Sequence, residues 1–315
     1  KEYLLKELPS RGLLPPRFIS PAGLIGPEGS SVSSYKSLEP LLRYPSVMMT
    51  GLPCFREEPE DLSVPGNPHG LLAPFARRNY YAAAVFLLKD IVKELRALFG
   101  LEREGLRIFC NSRFPEKQLA AASGLGFYGK NSLIISKDWG SGIILAGLTL
   151  PTPVPGDTAD PSWLIPGEVC GRCEICVKAC PAAALDGKGN LDKTRCLQAL
   201  FTELRPFSES QALLWGKRIY GCQDCQDPCP YNREQKEGRA VNIGYLGPSI
   251  PLKHLLYSPE PPFHMPELLK KTALDMKWLD RAAILRNGII AAGNCGDPAV
   301  KNNLLPFLYS ANEII

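Results

Sequence analysis

The sequence lacks several features that would assign it to common classes of protein. No apolar run reaches the roughly 18 residues that a membrane-spanning helix needs, so a membrane protein is not expected. The first residues, KEYLLKELPSRG, contain no apolar core before a small-residue cleavage site, so a cytoplasmic location is expected. The net charge is only 36 − 32 = +4, which permits a nucleic-acid partner without indicating one.

Histidine is scarce, with three in 315 residues, whereas cysteine is abundant, with eleven. Eight of the cysteines fall between positions 170 and 229, and Cys54, Cys110 and Cys295 lie elsewhere. A disulfide scaffold is typical of short secreted chains, and this chain is long and carries no visible export signal. Clustered thiols in a reducing compartment indicate a metal site instead.

The segment CGRCEICVKACP at 170–181 has the cysteine spacing of bacterial ferredoxins. In that spacing three thiolates bind one cubane, and the fourth, followed by proline, binds the other. The later segment CQDCQDPCP at 222–230 supplies three thiolates, so the eighth ligand must come from Cys196, which lies nearby. Two [4Fe–4S] clusters are therefore predicted. The ligands would be Cys170, Cys173, Cys176 and Cys229 for the first cluster and Cys180, Cys196, Cys222 and Cys225 for the second.

Structural zinc is the main alternative, because two C-x2-C pairs are also a zinc signature. A zinc site does not need C-x2-C-x2-C, since only two thiols from such a run fit easily into one tetrahedron. The Cys-Pro step, present twice here, is also foreign to zinc knuckles. Iron–sulfur clusters are the preferred interpretation.

Hydrophobic patterns predict three regions. Strand patterns such as YPSVMMTGL and GIILAGLTL alternate with helices, among them an amphipathic helix over 80–100 that ends at Gly100, and this favours an α/β domain. The C-terminal LDRAAILRNGIIAAGNCGDPAVKNNLLPFL predicts one helix–turn–helix unit of a helical repeat. One unit cannot bury its own apolar face, so it must pack on the preceding domain. The predicted domains are 1–160, 161–240 and 241–315.

The sequence resembles the epoxyqueuosine reductases, which are related to the cobalamin-dependent reductive dehalogenases. The resemblance rests on CGRCEICVKACPAAAL, LDKTRCLQALFTELR and GKRIYGCQDCQDPCPYN, together with EKQLAAASGLGFYGKNSLIIS and RAAILRNGIIAAGNCGDPAV. It covers the chain from about residue 40 to the end. It implies an α/β cobalamin-binding domain, a ferredoxin-like domain with two [4Fe–4S] clusters and a C-terminal α-helical HEAT-like repeat.

The resemblance also implies an activity and its partners. Members of the family are oxidoreductases that reduce epoxyqueuosine to queuosine at the wobble position of tRNA. The expected partners are therefore the tRNA anticodon stem-loop and an external electron donor, and a monomer is expected. Two one-electron clusters beside a cobalt centre suit this chemistry, because removing an epoxide oxygen consumes two electrons.

Cobalamin contacts are implied by the resemblance, position by position, and fall on Leu72, Ile134, Leu145, Gln198, Gln223 and Asp224. The motif Asp-x-His-x-x-Gly is absent, and His69, His254 and His264 occur in other contexts, so cobalt is expected to have no protein histidine ligand. The segment GLGFYGKN is a formal G-x-G-x-x-G, but a helical pattern precedes it instead of a strand, so nucleotide binding is not favoured. Its glycines are expected to close a helix and to approach the corrinoid rim.

The resemblance places a proton-donating aspartate where this chain reads RIFCNSRFPEKQLA. Alignment by the strand puts Asn111 at that position, and ungapped alignment from EKQLA puts Cys110 there. An amide cannot donate a proton at neutral pH, whereas a thiol can, because the ordinary pKa of cysteine is about 8.5. Asn111 and Cys110 are therefore the candidate catalytic residues, with Tyr80, Tyr81 or water as other donors.

The absence of this aspartate leaves two further hypotheses about function open. One keeps the clusters and the corrinoid but assigns a different substrate, and the other is an electron-transfer module that serves a partner protein. Binding of tRNA phosphates would need local basic patches, for which the pairs Lys217/Arg218 and Arg281/Arg286 are candidates, although such residues are more often solvated helix faces.

Overall fold

The computed structural model describes residues 1–24, 38–205, 207–233, 241–256 and 266–310. His264, the predicted domain boundary at residue 240 and the last five residues of the predicted third domain lie outside these ranges. Within them, no helix is both long and apolar enough to cross a membrane.

The strands are short except for two that run through the centre of the first sheet. They are β1 (Arg17–Ile19), β2 (Ser46–Pro53), β3 (His69–Leu72), β4 (Ile108–Phe109), β5 (Phe127–Tyr128), β6 (Ile134–Ile135), β7 (Ile143–Leu150), β8 (Arg218–Tyr220) and β9 (Ser249–Pro251).

The helices include two long ones, α2 in the first third of the chain and α8 in the last part of it. They are α1 (Glu2–Ser10), α2 (Tyr80–Phe99), α3 (Glu116–Ala122), α4 (Ile175–Ala179), α5 (Leu197–Leu200), α6 (Glu209–Trp215), α7 (Pro230–Arg233), α8 (Arg281–Cys295) and α9 (Lys301–Leu304).

The first sheet has the order β1-β2-β7-β4, and all its pairings are antiparallel. β2 pairs with β7 along its whole length and every residue of β2 is buried, as expected for a central strand covered by helices. The predicted combination of sheet and helices is present, but the strand–helix alternation does not produce the parallel sheet typical of α/β folds. The difference arises because β2 and β7 pair across nearly a hundred residues, which local patterns do not reveal.

The helix α2 follows the sequence prediction closely. The Asn79 side chain caps its first turn by accepting a hydrogen bond from the Ala82 N–H, and Gly100 ends it in the left-handed conformation, with φ of 63°. Its buried positions recur every three or four residues, so one face packs on the sheet.

A second sheet, β8-β3-β9, joins parts of the chain that are distant in sequence. β3 pairs in parallel with β8, which directly precedes CQDCQDPCP, and antiparallel with β9. β3 lies within the predicted first domain, so the cysteine segment is attached to that domain through a shared sheet.

The C-terminal helix α8 packs on the preceding part of the chain, as its apolar sequence requires. It shares a buried cluster with Phe201, Trp215 and Ile219. The second helix of the predicted unit is short, since α9 has four residues and continues as a 3₁₀ helix over Leu305–Tyr309. The HEAT-like repeat itself stays a prediction.

Arg286, Arg218 and Lys217, which were considered for phosphate binding, each contact other groups of the protein. Arg286 is only 4% exposed and donates hydrogen bonds to the carbonyls of residues 200, 203 and 205, and burial lowers its pKa to about 10. Arg218 forms a two-pronged ion pair with Asp224 at 2.7 and 2.9 Å, and Lys217 pairs with Asp61. The expectation that these residues form exposed patches is therefore wrong for Arg286 and weakened for the other two.

Candidate metal centre and adjoining cavity

The eight clustered cysteines lie in loops and at helix ends, where their side chains are accessible to one another. α4 carries Cys176 and ends at Cys180, whose extended backbone leads into Pro181. Cys196 is the residue just before α5, so its side chain projects from the start of that helix. All eight thiols are free, and they are half-buried except for Cys229, which is buried.

Four of the thiols influence one another electrostatically and form the first group. The pKa of Cys176 is raised to about 11, first by burial and then by the charges of other cysteines. Those cysteines are Cys170, Cys229 and Cys173. Charges on Cys170 and Cys173 likewise raise the pKa of Cys229 after burial does. Charges act strongly only at short range, so the structure brings these four thiols together.

The second group surrounds Cys225. Burial raises the pKa of this thiol most, followed by the charges of Cys222, Cys176, Cys196 and Cys180 in that order. Cys176 belongs to the first group, so the two groups adjoin. Cys176 interacts with thiols of both predicted ligand sets, so these interactions do not decide between the sets, and the assignment of each thiol to a cluster stays a prediction.

Among the described residues, no three Cys, His, Asp or Glu side chains are placed to hold a single metal ion. A [4Fe–4S] cubane requires a wider arrangement of thiols than a single ion, because each thiolate binds a separate iron of the cluster.

A cavity of about 290 Å³ adjoins the second group and is partly open to solvent. Its cysteine wall is formed by Cys180, Cys196, Cys222 and Cys225. Most of the remaining lining residues are apolar, among them Phe75, Leu133, Ile143 and Ile144, and Cys54 and Arg56 line the cavity as well. Apolar clefts with a few convergent polar groups are the usual form of cofactor sites.

The predicted corrinoid contacts divide into two sets. Gln198, Gln223 and Asp224 line the cavity. Leu72 and Ile134 are buried in separate apolar clusters, and Leu145 packs against the second of them, so these three are not on the cavity wall. Their neighbours Leu133 and Ile144 line the cavity instead.

The glycines of GLGFYGKN do not line the cavity. Gly124 closes α3 with φ of 77°, as predicted. A Cβ atom on Gly126 would lie 2.8 Å from the Ile135 carbonyl oxygen, and one on Gly129 would lie 2.6 Å from Asn131 Oδ1. These two glycines therefore permit close packing in the β5–β6 hairpin, and their approach to a corrinoid rim stays a prediction.

Asn131, which sequence reasoning did not single out, is the residue of this motif that lines the cavity. It is 4% exposed, and its Oδ1 accepts a hydrogen bond from the Leu133 N–H at 3.2 Å. Its Nδ2 is buried and has no hydrogen-bond partner among the described residues. The sequence could not mark Asn131, because its free amide is defined only by the folded loop.

The two candidate catalytic residues lie just after β4, and neither lines the cavity. Asn111 is exposed and has a positive φ of 49°. Cys110 is half-buried, and its pKa is raised to about 12 by burial and then by the Glu116 charge. Glu116, also missed from sequence, accepts hydrogen bonds from the backbone N–H groups of Asn111 and Ser112 at 3.0 and 2.7 Å.

Cys110 is nevertheless linked to the cavity through Tyr81. Tyr81 lines the cavity, and its pKa is raised mainly by burial, with smaller contributions from the charges of neighbours that include Cys110 and Glu116. Cys110 and Tyr81 pack against the same apolar cluster, whereas Asn111 is exposed.

Comparison with known proteins gives three findings. Residues 169–232 match the family described as a 4Fe-4S double cluster binding domain. The epoxyqueuosine reductase of Pseudomonas aeruginosa is 36% identical to this chain over 165 residues. The match covers 50% of this chain and 42% of the relative, so it spans less than half of the relative's length. The structure of epoxyqueuosine reductase from Streptococcus thermophilus matches with a TM-score of 0.80 and 22% identity, over 99% of this chain and 86% of the other.

A second solved structure adds a ligand to the comparison. It is an epoxyqueuosine reductase with an epoxyqueuosine-modified tRNA-Tyr stem loop, and it matches with a TM-score of 0.76 and 21% identity over 96% of this chain and 83% of the other. At such identity the likeness concerns the fold. Together with the sequence match, it confirms what the motifs predict: this chain is related to the epoxyqueuosine reductases and contains a double [4Fe–4S] cluster domain.

Proposed function

We propose that this protein is a cobalamin-dependent iron–sulfur reductase that converts epoxyqueuosine to queuosine in tRNA. The observation that carries the proposal is the cavity whose wall is formed by the second cysteine group. A redox group bound in that cavity would lie against the second cluster, and the first cluster would adjoin the second. Residues 1–160 would hold the corrinoid, 161–240 the clusters and 241–315 the helical repeat.

The cluster ligands in this proposal are the two groups of four cysteines. Bound clusters would pass single electrons, and cysteine binds iron as the thiolate, so loading the apoprotein releases protons. Cys180 and Cys229 are each followed by a proline, of which Pro181 lines the cavity and Pro230 begins α7.

The residues around the cavity suit a corrinoid, which has an apolar ring face and polar amide side chains. Gln198, Gln223 and Asp224 would contact it from the cysteine side, while Leu72, Ile134 and Leu145 would support the walls from behind. Bound cobalamin supplies a cobalt centre that accepts electrons one at a time and acts on the substrate. Asp224 is held by Arg218, so its carboxylate has a fixed position.

Proton delivery is the step in which this chain departs from the family. The raised pKa of Cys110 keeps its thiol protonated at neutral pH, so it can donate, though only weakly. Asn111 can orient a group but cannot supply a proton. General acid catalysis contributes about 10²–10⁴-fold, so the reaction is expected to be slow in this protein.

The remaining partners follow from the same proposal. The substrate is the tRNA anticodon stem-loop, an external donor supplies the electrons, and the protein acts as a cytoplasmic monomer. The solved relative with a modified tRNA stem loop supports this choice of substrate.

A different substrate is the second candidate, and the loop at Cys110 and Asn111 favours it. The absence of a carboxylic acid at either position alters the substrate side and leaves the cysteine groups unchanged. Turnover of a substrate other than epoxyqueuosine tRNA, with both clusters and the corrinoid bound, would support this second reading.

Cobalamin added to iron-loaded protein is expected to give the absorption spectrum of a base-off corrinoid, unchanged in His69→Ala and in His254→Ala. The structural reason is that neither histidine lines the cavity. His69 is also engaged by Asn67 and Ser249 at 3.0 Å each. Visible spectroscopy under anaerobic conditions provides the measurement, and a spectral change in either variant would show a histidine ligand and contradict this proposal.

A further inference from the structure

We propose that Arg56 binds a phosphate of the substrate RNA at the mouth of the cavity, and that it gives up its ion pair with Asp227 for this contact. This inference rests on the proposed function, because it needs a nucleotide to enter the cavity. The observation behind it is that Arg56 is the one Lys or Arg among the described residues that line the cavity.

Arg56 lies where the cavity meets solvent. It follows the end of β2 by three residues and lines the cavity, yet 35% of its side chain is exposed. Burial raises the pKa of the Cys54 thiol, which lines the same cavity, and the Arg56 charge lowers it. Charges act strongly only at short range, so the positive charge lies close to this part of the wall. The side chain therefore borders both the cavity and the solvent.

The ion pair of Arg56 joins two parts of the chain that border the cavity. Arg56 Nη2 lies 2.5 Å from Asp227 Oδ1, and Asp227 directly follows Gln226, a lining residue of the cysteine segment. The Asp227 side chain is 47% exposed. An exposed pair of this kind contributes little to stability, because water solvates both charges when they separate. Arg56 can therefore exchange Asp227 for another anion at small cost.

A nucleotide whose base enters the cavity brings such an anion to the mouth. Enzymes that act on a base take it out of the stack into a pocket, while its phosphates stay on the backbone outside. A guanidinium offers two parallel N–H groups that match phosphate oxygens, and both charges strengthen the contact. Asp224, the one Asp or Glu among the described lining residues, is held by Arg218. Arg56 would thus fix the backbone and set how the base enters.

The test compares wild type, Arg56→Gln and Arg56→Lys in their binding of a labelled epoxyqueuosine-containing stem-loop. The proteins carry iron and cobalamin, and fluorescence anisotropy is measured anaerobically without reductant, so that no turnover occurs. Arg56→Gln should weaken binding about 10-fold. It should also reduce the slope of log affinity against log salt concentration by about 0.7, the value for one phosphate of a single strand. Arg56→Lys should keep the slope and lose part of the affinity, because it keeps the charge without the planar fork.

Equal affinity and equal slope in Arg56→Gln and wild type would overturn the inference. The contact is located with stem-loops in which one phosphate beside the modified nucleotide is replaced by a neutral methylphosphonate. For one of these stem-loops, wild type and Arg56→Gln should bind equally. A loss in Arg56→Gln that persists with every such replacement would also overturn the inference.

Asp227→Asn tests the exchange of partners. It frees Arg56, so we expect the stem-loop to bind roughly 2- to 5-fold more tightly, the range of an exposed ion pair. In the Arg56→Gln background the same change should have a smaller effect. An equal gain in both backgrounds would show that the Asp227 charge acts by itself and would overturn the exchange.

Cobalamin is an alternative source of a phosphodiester, in its nucleotide tail. The stem-loop is favoured because Arg56 borders the solvent from which the RNA arrives, so Arg56→Gln should keep the wild-type affinity for cob(II)alamin. A loss of affinity for cob(II)alamin, with unchanged affinity for cobinamide, which lacks the tail, would identify the tail as the partner and overturn the inference.

Arg11→Gln is the matched control. Arg11 is also a partly exposed arginine in an ion pair, here with Glu7 and Glu94, and it does not line the cavity. This variant should keep both the affinity for the stem-loop and the salt slope. A wild type that binds no stem-loop would refute the proposed function as well. A wild type that binds and reduces the stem-loop, with Arg56→Gln indistinguishable from it, would refute this inference alone.

Discussion

Iron-loaded Cys196→Ala should contain about four irons per chain, compared with about eight in the wild type. Cys196 immediately precedes α5 and lies among the thiols that interact with Cys225, so its loss leaves the second group with three ligands. The first group keeps all four of its thiols. Iron and acid-labile sulfide analysis after anaerobic reconstitution measures the effect.

Cys295→Ala is the control for this experiment. Cys295 is a half-buried free thiol at the end of α8, outside both groups, and its removal should leave about eight irons. Eight irons in Cys196→Ala would show that another residue completes the second cluster. Zinc in place of iron in the wild type would refute the cluster assignment altogether.

Cys110→Asp should increase the rate of epoxyqueuosine reduction by about 10²-fold, at the lower end of what general acid catalysis contributes. Cys110 packs against the same apolar cluster as the cavity residue Tyr81, so we expect a carboxyl at position 110 to lie near the cavity. Burial would raise the pKa of that carboxyl and keep more of it protonated near neutral pH. Single-turnover assays with a modified stem-loop give the rate.

Asn111→Asp is the matched control for Cys110→Asp, because it introduces the same group one residue further along. Asn111 is exposed and its backbone N–H is bound to Glu116, so we expect little change in rate. A rate increase in Asn111→Asp alone would show that the strand-based alignment is the correct one. No increase in either variant would favour a different substrate.

Local sequence signals predicted the parts of the fold that depend on near neighbours. The helix at 80–99 was marked by its apolar period and by Gly100, and the strand over 46–53 by its apolar run. The antiparallel pairing of β2 with β7 and the sheet that joins β3 to β8 were not predicted, because they unite segments far apart in the chain.

In the candidate site, too, some features were predicted from the sequence and others are defined only by the fold. Cysteine spacing predicts two sets of cluster ligands from the sequence, and the structure brings the thiols of the two sets close to one another. The corrinoid contacts at Leu72 and Ile134 came from alignment alone, and the structure places both in apolar clusters behind the cavity wall. Asn131 and Glu116 were missed because their significance lies in hydrogen bonds that only the folded loops define.

The central claim, that this protein reduces epoxyqueuosine in tRNA, is tested most directly by mass spectrometry of the modified nucleoside. An epoxyqueuosine-containing anticodon stem-loop would be incubated anaerobically with iron-loaded protein, cobalamin and a chemical reductant. We predict slow conversion to queuosine, seen as loss of one oxygen atom, which stops when either cobalamin or the clusters are omitted. A stem-loop that stays unchanged while both clusters and the corrinoid are bound would contradict the claim.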